Sequence, residues 1–239
     1  MFLENPQNFK LRSDFSYKKV KIPEKVLNLI KEIKTTIFLL DPQNAPWFGS
    51  KGYWPPPGTQ ILAEPCDSDG MYNKTPKGIR NSSDHFDTKD PNAPLECVKG
   101  IIALGLRKYI EKIISKPEYK YILKLQGALP LIRFWPGAFI ETRKDFTKVF
   151  DSDICCVLQI EQKCKSWKIQ ISDKNNDWDE IELQDGEMLI YDQHNCLFGR
   201  IDPLGKSFAE NYFIDGKKSE ANQPYSDQMF FYFKYSQIK

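Results

Sequence analysis

Two stretches of the chain decide its fold: LIRFWPGAFIETRKD, residues 131–145, and DGEMLIYDQHNCLFGR, residues 185–200. In each of them a short apolar run lies next to a turn that contains glycine. Short apolar runs bounded by Gly, Pro, Asn and Asp are typical of β-strands separated by turns. Both stretches therefore predict strands, and the residues around them extend the pattern.

From Tyr121 onward the chain reads as a series of short strands. We predict them at Ala128–Trp135, Ile154–Glu161, Trp167–Ser172, Glu180–Leu183, Met188–Tyr191, Asn211–Ile214 and Met229–Tyr235. Many short strands at close spacing favour a sandwich or barrel. The second half of the chain is therefore predicted to form a β core.

The first half is organised differently. Apolar residues recur at helical spacing over residues 23–34 and over Glu96–Ser115, which predicts two helices. Between them, Asp41–Pro94 is rich in Pro, Gly, Asn, Asp and Ser, so we expect a long irregular region with short strands at most. We predict one α+β domain over residues 1–239, helical and loop-rich over 1–120 and a β core over 121–239.

Charge and cysteine content exclude several classes of protein. The 239 residues include 34 Lys and Arg and 32 Asp and Glu, a net charge of +2, which argues against general binding to nucleic acid. No apolar run approaches the roughly 18 residues of a membrane span, and residues 1–10 lack a signal-peptide core. The six cysteines include no C-x-x-C pair, so we expect reduced, mostly buried thiols. We predict a cytoplasmic protein with neither a nucleic-acid nor a membrane partner.

At residues 131–145 and 185–200 the chain resembles the 2-oxoglutarate/Fe(II)-dependent oxygenases, nearest to their prolyl-4-hydroxylase-like branch. In that family a strand with an Arg and a Gly precedes His-x-Asp, and a Gly-Asp-x-Leu-Ile-Tyr motif precedes a distal His. The matching residues here are Arg133–Gly137 and Gly186–Tyr191, and the resemblance extends over residues 122–215. It implies a double-stranded β-helix core, of the jelly-roll or cupin-like kind, preceded by helices. It also implies Fe(II) and 2-oxoglutarate as cofactors of the active members.

The resemblance places unsuitable side chains at the iron-ligand positions. Six residues after Gly137 the chain reads Arg143-Lys144-Asp145 where the family has His-x-Asp, and the distal His falls on Phe198. Arginine stays protonated and has no lone pair to donate to a metal, and phenylalanine has no donor atom. Only the carboxylate position, Asp145, retains a side chain that can bind a metal.

The positions that hold 2-oxoglutarate have also changed. The tyrosine that helps to bind it in the family falls on Ile140. Arg200 and Lys206 are basic residues near the end of the resembling region, and either could bind a carboxylate. The resemblance therefore implies a scaffold that has lost its iron site and can still bind a small acidic ligand or a protein partner.

One alternative set of iron ligands exists elsewhere in the chain. His85 and Asp87 have the His-x-Asp spacing, and His194 is the second of only two histidines. Two imidazoles and a carboxylate are the ligands of an Fe(II) oxygenase centre. An active dioxygenase that uses His85, Asp87 and His194 thus stands as the second hypothesis. A metal-free enzyme or an interaction module on the same barrel is the third.

Overall fold

The computed structural model describes residues 15–31, 47–48, 59–63, 66–67, 105–118, 120–134, 138–143, 152–164, 167–202, 204 and 224–238. Two helices lie in these ranges, α1 over residues 24–31 and α2 over Leu106–Ile114. The strands are β1 Tyr17–Lys21, β2 Trp47–Phe48, β3 Thr59–Ala63, β4 Cys66–Asp67, β5 Lys120–Phe134, β6 Ile140–Arg143, β7 Ile154–Gln162, β8 Ile169–Ser172, β9 Trp178–Ile181, β10 Glu187–Asp192, β11 Phe198–Arg200 and β12 Ser226–Ile238. The described part of the chain is mostly β, and every strand pairing in it is antiparallel.

The strands form two sheets. The larger sheet has the order β1-β10-β7-β12-β5-β3-β2, with β4 also paired to β5, and the smaller sheet has the order β6-β11-β8-β9. The eight strands β5 to β12 are thus divided four and four, as 5-12-7-10 and 6-11-8-9. This order is that of a jelly roll, in which two Greek keys form a pair of facing sheets.

Side chains of the larger sheet are buried on both of its faces. On β12, Met229, Phe231 and Phe233 belong to an outer cluster shared with α1 and α2. Phe230 and Tyr232 of the same strand belong to an inner cluster shared with the smaller sheet. Successive side chains of a strand point to opposite faces, so β12 needs a continuous apolar run to fill both clusters.

The two helices cover the outer face of the larger sheet. Val26 and Ile30 of α1 are buried at a spacing of four residues, and α2 buries Leu106, Ile110 and Ile114 in the same way. A spacing of four residues places side chains on one face of a helix. The larger sheet therefore separates the inner cluster from the helices. The site described below lies on the inner face of this sheet, between the two sheets.

The structure corrects several predicted boundaries. Tyr17–Lys21 forms β1 by pairing with β10, although no strand is predicted there from the sequence. β5 begins at Lys120 and not at Ala128, and neither β6 nor β11 was predicted as a strand. β2, β3 and β4 are the short strands of the region 41–94. The predicted strand Asn211–Ile214 and residues 96–104 of the predicted second helix lie outside the described residues.

Four cysteines of the described ranges are free thiols. Cys155, Cys156 and Cys196 are buried and Cys164 is partly buried. Burial raises the pKa of the Cys155 thiol to about 12. Of the helices in the described ranges, none has the length and apolar character of a membrane span.

Candidate functional site

The sheet register brings two of the sequence-predicted positions together. Phe198, at the start of β11, is the cross-strand neighbour of Arg143, at the end of β6. Arg200, two residues along β11, is opposite Ile140. Asp145, Lys206, His85 and Asp87 lie outside the described residues.

Phe198 faces the inner cluster and is 1% exposed. Its ring stacks on Tyr191 of β10, with the ring centroids 5.2 Å apart and the planes 2° from parallel. The inner face at this position is therefore an aromatic wall. Neither a phenylalanine ring nor a protonated guanidinium has a lone pair to donate to Fe(II), so Phe198 and Arg143 are not metal ligands.

His194 lies in the turn between β10 and β11, as the sequence predicts. Its side chain is 62% exposed, and its Nε2 is 2.9 Å from Oδ1 of Asp153. Its backbone N–H donates to Oδ1 of Asp192. Within the described ranges, no three His, Cys, Asp or Glu side chains are grouped to hold a metal ion. Of the alternative ligand set, only His194 is placed by the structure.

Arg200 is the unusual residue of the site, since its charged side chain is buried in the sheet interior. It is 1% exposed, and its Nη1 donates a hydrogen bond to the backbone carbonyl of Trp167. The guanidinium carbon lies 4.2 Å from the centroid of the Trp167 ring. Among the described residues, Nε and Nη2 have no hydrogen-bond partner, and no described carboxylate forms an ion pair with Arg200. Burial lowers the pKa of Arg200 to about 9, so the side chain remains charged at neutral pH.

A second buried arginine, Arg133, differs from Arg200 because it forms an ion pair with a buried carboxylate. Arg133 of β5 is 7% exposed and Asp227 of β12 is fully buried. Nε and Nη2 of Arg133 donate to the two carboxylate oxygens of Asp227 at 2.7 and 2.8 Å. This two-pronged pair satisfies the geometry of both groups. No carboxylate in the described ranges pairs with Arg200 in this way, which sets the two arginines apart.

Three polar side chains that the sequence analysis missed lie on the inner face near Arg200. Gln159 of β7 and Ser226 and Gln228 of β12 are at most 1% exposed and bond to one another. Ser226 and Gln228 occupy alternate positions of β12 with Phe230, which belongs to the inner cluster. No sequence signal identifies this set, since β7 and β12 are distant in the chain. We refer to Gln159, Ser226 and Gln228 as the amide cluster.

Contacts through two aromatic residues connect the amide cluster to Arg200. Ser226 is the cross-strand neighbour of Phe134 on β5. The Phe134 ring lies 5.0 Å from the ring of Trp167, whose carbonyl accepts the hydrogen bond from Arg200. Residues directly opposite each other on paired strands point to the same face. Arg200 and the amide cluster therefore line the same end of the space between the two sheets.

Solved structures with a similar arrangement include oxygenases. A prolyl-4-hydroxylase from Pseudomonas putida has 11% identity and a TM-score of 0.46, covering 92% of this chain and 93% of that one. A prolyl hydroxylase from Trichoplax adhaerens, solved with a hypoxia inducible factor peptide fragment, has 8% identity and a TM-score of 0.48, covering 92% and 84%. A 2OG-Fe(II) oxygenase family protein from Burkholderia pseudomallei has 10% identity and a TM-score of 0.39, covering 58% of each chain. No protein-family model and no curated protein sequence matches this chain. At these identities and scores no residue role is transferred from those proteins to this chain.

Proposed function

We propose that this protein binds a small carboxylate inside its jelly roll, on a scaffold of the 2-oxoglutarate-oxygenase kind that has lost its iron centre. The observation that carries the proposal is the guanidinium of Arg200, which is buried and charged and whose Nε and Nη2 bond to none of the described residues. Those two nitrogens are adjacent on one edge of the guanidinium. A carboxylate is the group that such an edge binds with two parallel hydrogen bonds.

The energetics favour an anion at this position. An unpaired buried charge costs several kcal/mol even after the protein relaxes, so folded proteins pair such charges. Arg133 follows this rule through Asp227, whereas Arg200 has only a carbonyl and an aromatic ring. A bound carboxylate would supply the missing charge. Because Arg200 is 1% exposed, a small molecule suits it better than a side chain of a protein partner.

The same residues weigh against iron-dependent hydroxylation. An oxygenase centre needs two imidazoles and a carboxylate on one face of Fe(II). The family resemblance assigns Phe198 and Arg143 to the two imidazole positions, and the Phe198 ring stacks on Tyr191. Lys206, outside the described residues, is proposed as a second cation for the acid. Fe(II) and 2-oxoglutarate chemistry is not part of the proposed activity.

Calorimetric titration tests the binding proposal. Succinate and 2-oxoglutarate are titrated into the wild-type protein and into Arg200→Met, with Arg133→Met as the control for loss of a buried arginine. We expect wild type to bind at least one of the acids and Arg200→Met to bind neither. Ligand at a hundred times its Kd would raise the free energy of unfolding by about 2.7 kcal/mol. If neither acid nor any related small carboxylate binds wild type, the proposal is wrong.

Anaerobic titration with Fe(II) tests the second part of the proposal, the loss of the iron centre. We expect no stoichiometric binding at micromolar Fe(II) and no conversion of 2-oxoglutarate to succinate in air. Stoichiometric binding of iron together with formation of succinate would contradict the proposal that the iron centre has been lost. If His194→Ala then abolished both, the ligand set His85, Asp87 and His194 would replace our proposal. Asp153→Asn, which alters the contact of His194 and leaves the imidazole, is the matched control.

A further inference from the structure

The orientation of one buried amide limits what the acid can be. Nε2 of Gln159 donates to the carbonyls of Glu161 at 2.9 Å and of Asp227 at 3.2 Å. Its Oε1 must therefore face Gln228, and the group of Gln228 that meets it, at 3.0 Å, must be Nε2. The same Nε2 also lies 3.0 Å from Oγ of Ser226.

With its Nε2 fixed in this way, Gln228 presents an unused acceptor. Its Oε1 is buried and has no hydrogen-bond partner within the described part of the chain. Gln228 is fully buried, and it lies on the inner face of β12 between Ser226 and Phe230. A buried carbonyl oxygen without a donor is uncommon, because it has lost its water and gained nothing in exchange.

The free acceptor and the free donors line the same end of the barrel interior. The path from Gln228 to Arg200 runs through Ser226, Phe134 and Trp167 by the contacts already given. A molecule bound at this end of the interior would satisfy both groups if it carried an acidic group for Nε and Nη2 of Arg200 and a hydrogen-bond donor for Oε1 of Gln228. The amide oxygen carries no full charge to balance an ammonium group, so a hydroxyl is the donor that fits.

We infer that the ligand is a small hydroxy-carboxylic acid, whose carboxylate binds Arg200 and whose hydroxyl donates to Oε1 of Gln228. This inference rests on the proposed function, since it assigns the class of acid that the same site takes. The apolar neighbours of the two polar groups, Phe134 and Trp167, suit a short hydrocarbon chain between them. Binding an acid without the hydroxyl would leave the amide oxygen unpaired, which predicts a preference of about tenfold to a hundredfold for the hydroxy acid.

A matched pair of ligands tests the hydroxy-acid inference, since malate is succinate with one hydroxyl added. Succinate, L-malate and D-malate are titrated into wild type, Gln228→Met and Ser226→Ala. We expect one malate enantiomer to bind wild type about ten to a hundred times more tightly than succinate. Gln228→Met should reduce that ratio to about one. Ser226→Ala removes a neighbour in the amide cluster but keeps the acceptor, so it should retain the preference.

The outcomes separate the two proposals. If succinate and both malates bind wild type equally, the hydroxy-acid inference is wrong and the carboxylate site stands. If the preference persists in Gln228→Met, the hydroxyl does not meet Gln228 and the inference is again overturned. If none of the three acids binds wild type or changes its stability, and no acid of a wider panel of carboxylates binds either, both the proposed function and this inference are wrong.

Discussion

Replacing Arg200 with methionine removes the charge on which the proposed site depends. Burial lowers the pKa of Arg200 from its ordinary value of 12.5 to about 9. The shift is caused by desolvation, which at about 1.4 kcal/mol for each pKa unit disfavours the charged side chain in the ligand-free protein by roughly 5 kcal/mol before its contacts with Trp167 are counted. Against this, the charged hydrogen bond to the Trp167 carbonyl contributes about 2 kcal/mol and the contact with the Trp167 ring about 2 kcal/mol.

The desolvation cost slightly exceeds the sum of the two favourable contacts, so the substitution is expected to be slightly stabilising. We expect Arg200→Met to raise the free energy of unfolding of the ligand-free protein by about 1 kcal/mol, which is roughly 2–4 °C in Tm for a chain of this size. Arg133→Met is the matched control. It leaves the fully buried carboxylate of Asp227 without its partner and should lower the stability by about 3–5 kcal/mol.

Urea unfolding followed by tryptophan fluorescence and circular dichroism measures both variants, with and without a bound carboxylate. The ligand should stabilise wild type and leave Arg200→Met unchanged. A loss of 2 kcal/mol or more in ligand-free Arg200→Met would refute the reasoning, because it would mean that Arg200 is a satisfied structural cation. Equal losses in Arg200→Met and Arg133→Met would lead to the same conclusion.

Three further predictions follow from the described contacts. Carboxylate binding requires protonated Arg200, so affinity should stay constant from about pH 6 to 8 and fall as the pH rises through about 9, as titration calorimetry at several pH values would show. Phe198→Ala should lower the free energy of urea unfolding by about 3–5 kcal/mol, because it empties the inner aromatic wall; a loss under 1 kcal/mol would contradict that packing. Gly186→Ala should lower the thermal stability by about 1–3 kcal/mol, because Gly186 has a φ of +79° and an added Cβ would lie 2.8 Å from Cδ2 of Leu27. Gly105→Ala, at a φ of +95° with nothing within 4 Å, isolates the backbone part of that cost, and the two variants should differ.

The sequence predicts the β core well where strands carry a local signal. β7 and β10 begin and end within about one residue of their predicted bounds, because each is a short apolar run between turn residues. β1 escaped prediction since Tyr17–Lys21 has three lysines in five residues and becomes a strand through pairing with β10. Charged residues on an edge strand are common, and local sequence does not distinguish them from a solvated loop.

The site is predictable only in part, for a similar reason. The family resemblance indicates Arg143, Phe198 and Arg200 as candidate site positions. It does not indicate that Arg200 is buried without a counter-ion among the described residues, because that depends on the tertiary neighbours of Arg200, such as Trp167. Gln159 and Gln228 come together only through the pairing of β7 with β12, and isolated glutamines in a sequence carry no signal of that contact.

The pairing of β1 with β10 has a consequence for how the chain folds during synthesis. About 170 residues separate the partners Tyr17 and Tyr191 in the chain. At ribosomal rates of about 5–20 residues per second, the edge strand waits roughly 10–35 s before its partner exists. Contacts between residues so distant in sequence form slowly after release as well. The lysines of β1 keep this unpaired segment hydrated and disfavour its pairing with other strand edges, which protects the nascent chain against aggregation. The same lysines are the reason that the sequence does not predict this strand.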